Sequence, residues 1–248
     1  MLLLIYLFIT GLILGSFYNV VGLRVPVKKS IVKPRSACPN CGHTLQAIEL
    51  IPVLSYVIQG GKCRQCGARI SPLYPIVELL TGLLFVLALV TLGWTPELLF
   101  ALTLISLFMI IFVSDIQYML IPDRILLSFA VIFLIERLIW PLSPWWDSLV
   151  GCAIGFFLLL AIAVVSNGGM GGGDIKLFAL LGFALGAKLV LFTFFLATIY
   201  GAVFGLLAML VGKVKRGNPI PFGPFIAAGA LSAYFFAEEI WLYYLQIF

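Results

Sequence analysis

Charged residues are scarce in this sequence. Asp, Glu, Lys and Arg make up 10% of the 248 residues, whereas hydrophobic residues make up 63% and the mean hydropathy is +1.19. A soluble domain cannot hide such a share of apolar side chains, because its surface needs polar groups. The composition therefore excludes an ordinary soluble protein and indicates a helical membrane protein with several spans.

Histidine is rarer still, since His43 is the only one in the chain. It lies among cysteines, where it is either a spare metal ligand or a solvated side chain. The sequence therefore offers no Ser–His arrangement for nucleophilic catalysis. No Gly-x-Gly-x-x-Gly nucleotide loop follows a strand either, so methyl transfer cannot be inferred from a nucleotide-binding motif.

Long apolar runs divide the chain into predicted spans. The first, over 1–23, has no basic N-terminal region and is long enough to cross a bilayer, so we expect a retained helix and not a cleaved signal peptide. We predict an all-α polytopic membrane protein of about eight transmembrane helices, with a cytoplasmic zinc-binding loop over 24–72 and a membrane core over 73–248. The other predicted spans lie near 74–92, 98–117, 124–140, 148–166, 175–187, 189–211 and 221–237.

Two cysteine pairs lie in the one long polar stretch, 24–71. Cys38-Pro-Asn-Cys41-Gly and Cys63-Arg-Gln-Cys66-Gly each place two thiols on a tight turn, with 21 residues between the pairs. Two such turns can complete a closed tetrahedral four-sulfur site, so we predict a structural Zn²⁺. Two disulfides are the alternative, which a reducing cytosol would disfavour.

Basic residues predict the orientation of the spans. The 24–71 loop contains eight Lys and Arg residues against one acid, Glu49. If this loop faces the cytosol, alternation of the spans places thirteen of the fifteen basic residues inside and leaves Arg137 and Lys188 outside. Both termini are then extracytoplasmic.

A glycine-rich stretch, Asn167-Gly-Gly-Met-Gly-Gly-Gly-Asp174-Ile-Lys176, interrupts the apolar pattern. Glycine lets another backbone approach closely, and an Asp at a membrane edge is costly as an ion, so Asp174 is a candidate functional residue. The alternative is a plain turn in which Asp174 caps the next helix. Asp115 ends a predicted span at the same membrane face, whereas Asp123, after Ile-Pro, fits better as a helix cap. We therefore pair Asp115 with Asp174.

Two Asp side chains held together support aspartic-protease chemistry. Such a pair shares one proton, so one carboxylate can take a proton from water while the other donates a hydrogen bond to a scissile carbonyl. A proton-coupled transporter that uses Asp115 and Asp174 as a relay is the alternative, although transporter sites usually lie near the midplane between repeated halves and no repeat is visible here. A zinc-bearing scaffold without catalysis would leave both carboxylates unexplained.

These motifs resemble those of the bacterial type IV prepilin leader peptidases, the prepilin peptidase/N-methyltransferases among the GxGD membrane aspartic proteases. Gly171-Gly-Gly-Asp-Ile-Lys176 matches their Gly-x-Gly-Asp-x-Lys signature, with a third glycine as a departure. Asp115 followed by Pro122-Asp123 matches the first catalytic segment. The likeness covers essentially the whole chain, and the length and loop look most like competence-type enzymes of Gram-positive bacteria. It includes Gly15-Ser-Phe, Asn19-Val-Val, the paired cysteines, Tyr74-Pro75, Glu78 and Pro221-Phe-Gly-Pro224.

The resemblance implies a substrate and two cofactors. Such enzymes remove a short basic leader from prepilins or pseudopilins, cutting after a Gly at the cytoplasmic edge of the bacterial inner membrane. Many also methylate the freed N-terminal amine with S-adenosylmethionine, which is therefore expected beside Zn²⁺. Pilin-like precursors and the lipid bilayer are the expected partners, and nucleic acid is not.

The resemblance also implies roles for single residues. The catalytic pair falls on Asp115 and Asp174. Glu78, near the cytoplasmic end of its span, would meet substrate cations, pair with Lys176 or bind the chain's own basic loop. Support of the catalytic loops is expected from Gly171, Gly173, Lys176 and Asp123, and metal binding from Cys38, Cys41, Cys63 and Cys66.

Overall fold

The long apolar runs form helices joined by short connections. The computed structural model describes residues 1–166, 169–212 and 219–247, and in these it has nine α-helices, one short 3-10 helix and no β-strand. The predicted all-α class is therefore confirmed. The α-helices are α1 (Leu2–Arg24), α2 (Leu54–Ile58), α3 (Leu73–Leu92), α4 (Pro96–Tyr118), α5 (Asp123–Ile139), α6 (Asp147–Val165), α7 (Gly172–Leu185), α8 (Ala187–Leu210) and α9 (Gly223–Ile247), and the 3-10 helix is Ala47–Leu50.

Five helices of the described chain are long and apolar enough to cross a membrane, namely α1, α3, α4, α6 and α8. Helix α5 has 17 residues and α7 has 14, and the apolar part of α9 is Gly223–Ala237. At about 1.5 Å per residue, α7 is about 21 Å long, against about 30 Å of bilayer hydrocarbon. All eight predicted segments are helical to within a few residues, but the prediction of eight complete spans is not confirmed.

Some predicted features lie outside the described residues. These are Lys213, Lys215 and Arg216, assigned to the inner face from their charge, and Asn167 and Gly168 of the glycine-rich stretch. The orientation of the spans accordingly stays a prediction.

The first of two compact units, Met1–Val113, contains the closely packed pair α1 and α3. A Cβ added to Gly11 would lie 2.7 Å from the Cα atom of Gly82, and one added to Gly15 would lie 2.8 Å from the Cα atom of Glu78. Small residues let helix backbones approach each other, which drives helix association where no hydrophobic effect operates. The glycines that interrupt the first apolar run are therefore a helix-packing surface.

The second unit, Ser114–Phe248, repeats this device between α6 and α7. A Cβ at Gly151 would overlap the backbone at Gly182, and a Cβ at Gly155 would overlap the backbone at Phe178. The Gly-x-x-x-Gly spacing in α6 is the sequence signal for this contact. The packing holds α7 antiparallel to α6 and close to it.

Helices α5 and α7 run side by side in the same direction. Lys176 binds Asp123 where the two helices begin. At their other ends, the Arg137 guanidinium donates to the Ala184 carbonyl oxygen through Nε, at 2.8 Å, and through Nη2. The last carbonyls of a helix lack intrahelical partners, so Arg137 caps α7. Gly186, with φ +86°, then separates α7 from α8.

Candidate active site and metal centre

Asp115 is buried in the last turn of α4, with 6% of its surface exposed. Its backbone carbonyl accepts a hydrogen bond from Met119, where a φ of +51° ends the helix. The Asp115 Oδ2 atom accepts a hydrogen bond of 2.7 Å from the backbone N–H of Gly223, the first residue of α9. No role could be predicted for the Pro221–Pro224 motif, because the contact joins residues 108 positions apart in the chain.

Asp174 is the third residue of α7, whose N-cap is Gly171. The interpretation of Asp174 as the cap of this helix is therefore wrong. Its half-buried carboxylate accepts a hydrogen bond from the Gly171 N–H and lies near enough to Asp115 for the two charges to interact. The end of α4 and the start of α7 thus bring together two carboxyl groups that lie far apart in the sequence.

The glycines before Asp174 differ in what surrounds them. A Cβ on Gly171 would lie 2.8 Å from the Asp174 Oδ2 atom, and a Cβ on Gly173 would lie 2.9 Å from the Cβ of Ile121. A Cβ on Gly172 would meet no described atom within 4 Å. Two of the three glycines therefore make room for the site, whereas the third glycine, which departs from the family signature, has open space beside it.

Lys176 and Asp123 form an ion pair beside the two carboxyl groups. The Lys176 Nζ atom donates to both Asp123 carboxylate oxygens at 2.8 Å, and the two side chains are 55% and 69% exposed. Pro122 is the N-cap of α5 and Asp123 is its first residue, without a side-chain capping bond, so the predicted cap role of Asp123 is wrong. The pair instead ties the start of α5 to the first turn of α7.

The four paired cysteines converge in the loop of the first unit. Their Sγ atoms all lie within 4.8 Å of one another, with Cys38–Cys66 at 3.8 Å and Cys41–Cys63 at 3.9 Å. A tetrahedral site with Zn–S bonds of about 2.3 Å has sulfur–sulfur edges of about 3.8 Å, so the cluster fits Zn²⁺. These cysteines are free thiols, which argues against the two-disulfide alternative.

Each cysteine pair lies on the same kind of turn. Cys38 donates its N–H to the His43 carbonyl and accepts from the Gly42 N–H at 2.9 Å; Cys63 makes the equivalent bonds with Ala68 and Gly67. Gly42 has φ +72° and Gly67 has φ +69°, and a Cβ on either would meet no described atom within 4 Å. The turn therefore needs glycine for its backbone conformation and not for space.

Backbone and amide donors prepare these thiols for a metal. The Ala68 N–H and then the Asn40 side chain lower the pKa of Cys66 to about 6. The backbone N–H groups of Cys41 and Asn40 also lower the pKa of Cys38. The His43 N–H acts in the same direction on Cys41, but desolvation and the neighbouring thiols outweigh it and raise the pKa of Cys41 to about 12. Thiolates are the form that binds zinc, so metal binding near neutral pH would release the proton of Cys41.

His43 is held by Glu49, which corrects the prediction of a solvated or metal-binding side chain. The His43 Nε2 atom lies 3.0 Å from Glu49 Oε2, which also accepts the Gln46 N–H at 2.9 Å. The Gln46 N–H and then His43 lower the pKa of the Glu49 carboxyl. The single acid of the basic loop therefore joins the first cysteine turn to the 3-10 helix.

Glu78 is 7% exposed in the second turn of α3. Its carboxylate accepts the Val53 N–H at 2.8 Å and a hydrogen bond from Ser16. Val53 has φ +61°, a conformation that a β-branched residue rarely adopts. This geometry favours the alternative in which Glu78 binds the chain's own loop, and its role in substrate binding stays a prediction.

Comparison with known proteins places most of the chain within two family models. Residues 9–92 match the bacterial peptidase A24 N-terminal domain, and residues 102–206 match the type IV leader peptidase family. No solved structure matches the chain.

Similar curated proteins span nearly the whole chain. A prepilin leader peptidase/N-methyltransferase of Bacillus subtilis is 48% identical over 97% of both chains. Proteins of the same name from Aeromonas salmonicida and Pseudomonas aeruginosa are 34% and 32% identical, over 96% and 95% of this chain and 92% and 91% of their own.

Proposed function

This chain belongs to the type IV leader peptidase family, and we propose that it is a membrane aspartic endopeptidase that removes the leader of type IV prepilins or pseudopilins. We propose in addition that it methylates the new N-terminal residue, since the names of the three relatives state both activities. The proton-coupled transporter gains no support from any of these relatives.

The observation that carries the peptidase proposal is the meeting of Asp115 and Asp174. Two carboxyl groups whose charges interact do not both ionise readily, so one is ionised while the other is neutral. The ionised group takes a proton from the attacking water, and the neutral group donates a hydrogen bond to the scissile carbonyl. No metal or nucleophilic side chain takes part in this step.

Asp115 is a better candidate than Asp123 for the catalytic carboxyl group that pairs with Asp174. Asp115 is buried and its Oδ2 atom is fixed by the Gly223 N–H, whereas the Asp123 carboxylate is exposed and bound to Lys176. A catalytic carboxylate must be held in place and shielded from bulk water. Lys176 and Asp123 accordingly support the catalytic loops, as do Gly171 and Gly173.

The zinc site and the methyl donor have separate roles. The four cysteines hold Zn²⁺ in a closed site, where the metal stabilises the loop. Glu49, His43 and Gln46 keep the loop folded beside the metal. When S-adenosylmethionine is bound, it supplies the methyl group for the freed amine.

The proposed substrate is an apolar helix preceded by a basic leader, and the proposed location is the bacterial inner membrane. Apolar spans accept the substrate helix from the lipid, while the excess of basic residues in the 24–71 loop supports a cytoplasmic catalytic face. Because Lys176 and Asp123 form an ion pair with each other, the basic residues of the leader bind groups other than the Asp123 carboxylate.

Single substitutions in the purified enzyme test the proposal. Asp115→Asn and Asp174→Asn should each lower prepilin cleavage by at least about 10²-fold, because Asn cannot take or share the proton. Zinc content and membrane insertion should not change. Asp123→Asn is the matched control and should keep most of the activity. Full cleavage by Asp174→Asn would exclude an aspartic peptidase, and an inactive Asp123→Asn with an active Asp115→Asn would move the first catalytic role to Asp123.

A further inference from the structure

The Pro221-Phe-Gly-Pro224 segment supplies a backbone donor to one carboxyl group of the proposed active site. Gly223 begins α9, where the first N–H groups of a helix have no intrahelical partner. Its N–H donates to Asp115 Oδ2 at 2.7 Å in a buried environment. One carboxylate oxygen of Asp115 is therefore occupied by the protein, which leaves the other for water or substrate.

The absence of a side chain at position 223 allows this contact. A Cβ there would lie 2.8 Å from Asp115 Oδ2, 3.1 Å from Asp115 Cβ and 3.2 Å from Asp115 Cγ. All three atoms belong to one side chain that ends in a rotatable carboxyl group. A larger residue would thus displace the Asp115 carboxylate more readily than the backbone of either helix.

Aromatic packing holds Gly223 in place at the start of α9. Phe222 and Phe225 flank the start of α9 with ring centroids 6.4 Å apart, and both rings approach Gly201 of α8. The Phe222 carbonyl accepts the N–H groups of Phe225 and Ile226 and so starts the helix. Pro221 and Pro224 have no N–H, so Phe222 and Gly223 are the two backbone donors of this segment, and Gly223 is the one that binds Asp115.

We propose that Gly223 is a positioning residue of the peptidase, holding Asp115 in the orientation that catalysis requires through its backbone N–H. The proposal rests on the proposed function of Asp115 as one of the two catalytic carboxyl groups. It assigns the start of α9 as a third chain segment at the site, beside the end of α4 and the start of α7.

Gly223→Ala tests the proposal directly, with Gly205→Ala in α8 as the matched control. In the first variant we expect kcat for prepilin cleavage to fall about 10- to 100-fold, which corresponds to one hydrogen bond to a charged group, with KM within about twofold. In the control a Cβ would lie 3.8 Å from the Ile220 side chain, an ordinary contact, and kcat should be unchanged. A Gly223→Ala enzyme with unchanged kcat, or an equal loss in both variants, would overturn the proposal.

Amide hydrogen exchange tests the contact without relying on the folding of a Gly223 variant. Of the six residues from Pro221 to Ile226, counting both ends, four carry an N–H, so a peptide from this segment reports on Gly223. Asp115→Ala should speed exchange in this peptide, whereas Asp174→Ala should not. Equal exchange in wild type and Asp115→Ala would refute the hydrogen bond, whereas inactive wild-type enzyme would refute only the proposed function.

Discussion

Alanine substitutions at two adjacent glycines should have opposite effects. Gly172 and Gly173 both lie in the first turn of α7, directly before Asp174. A Cβ at Gly173 would lie 2.9 Å from the Cβ of Ile121, whereas a Cβ at Gly172 would meet no described atom within 4 Å. Only Gly172 can therefore accept a methyl group without displacing a neighbour.

The magnitudes follow from these distances. Carbon atoms pack best at about 3.5–4.0 Å, so Gly173→Ala forces Ile121 to move by several tenths of an ångström, and overpacking of this kind costs about 1–3 kcal/mol. Gly172→Ala should instead add about 0.4–1 kcal/mol of stability by restricting the unfolded chain. The two variants therefore differ by about 1.4–4 kcal/mol, and at about 2–4 °C per kcal/mol for a chain of this length we expect Gly173→Ala to melt about 3–16 °C below Gly172→Ala.

Cleavage should separate the variants further. Ile121 lies in the connection between Asp115 and Asp123, so its displacement moves the chain that follows the first carboxyl group. A shift of about 1 Å at a reacting group can cost about 10²-fold in rate. Thermal unfolding in detergent and prepilin cleavage, measured on the same preparations, give both readouts. Equal stability and activity in the two variants would contradict the claim that the contact with Ile121 positions this loop.

Three further predictions concern the metal, the ion pair and the topology. Purified enzyme should contain one Zn²⁺ per chain, and Cys63→Ser should lose it and disorder the loop, whereas Cys152→Ser should keep it; elemental analysis of both variants decides this. Asp123→Lys should lower cleavage through repulsion from Lys176, and Lys176→Asp in the same chain should restore it. The free energy of unfolding should change by less than about 1 kcal/mol, because the ion pair is exposed. An exchanged pair as inactive as the single variant would contradict a purely electrostatic interaction between the two helices. Single cysteines added at Lys29 and Thr95, in a Cys152→Ser background that keeps the four zinc-binding cysteines bound to metal, should label from opposite sides of the membrane. Labelling of both from one side would contradict the predicted orientation.

The helices could be predicted because apolar run length is a local property. Segments such as 74–92 and 98–117 became α3 and α4 with small shifts at their ends. It was harder to predict whether a short run crosses the membrane, since the span predicted over 175–187 is a helix of 14 residues, Gly172–Leu185. Composition cannot distinguish a full span from a shorter helix that packs on its neighbours.

The cysteine site could be predicted because its ligands come in two local turns. The pairing of His43 with Glu49 in the same segment could not be predicted, since a single His and a single acid form no motif with a recognisable spacing. For Glu78 the sequence left three partners open, namely substrate cations, Lys176 and the chain's own loop, and the Val53 N–H of that loop binds it together with Ser16. Partners set by tertiary packing leave no trace in one sequence.

The site lies at helix ends for a physical reason. Inside a spanning helix every backbone N–H and carbonyl is used by the helix itself, so the lipid-embedded chain has few polar groups to offer a carboxylate. The first turn of a helix is the exception, because its N–H groups are free. Gly171 at the start of α7 binds Asp174 in this way, and Gly223 at the start of α9 binds Asp115. Glycine at both positions lets the carboxylate reach the backbone, which explains why an apolar chain places glycines where its acids lie.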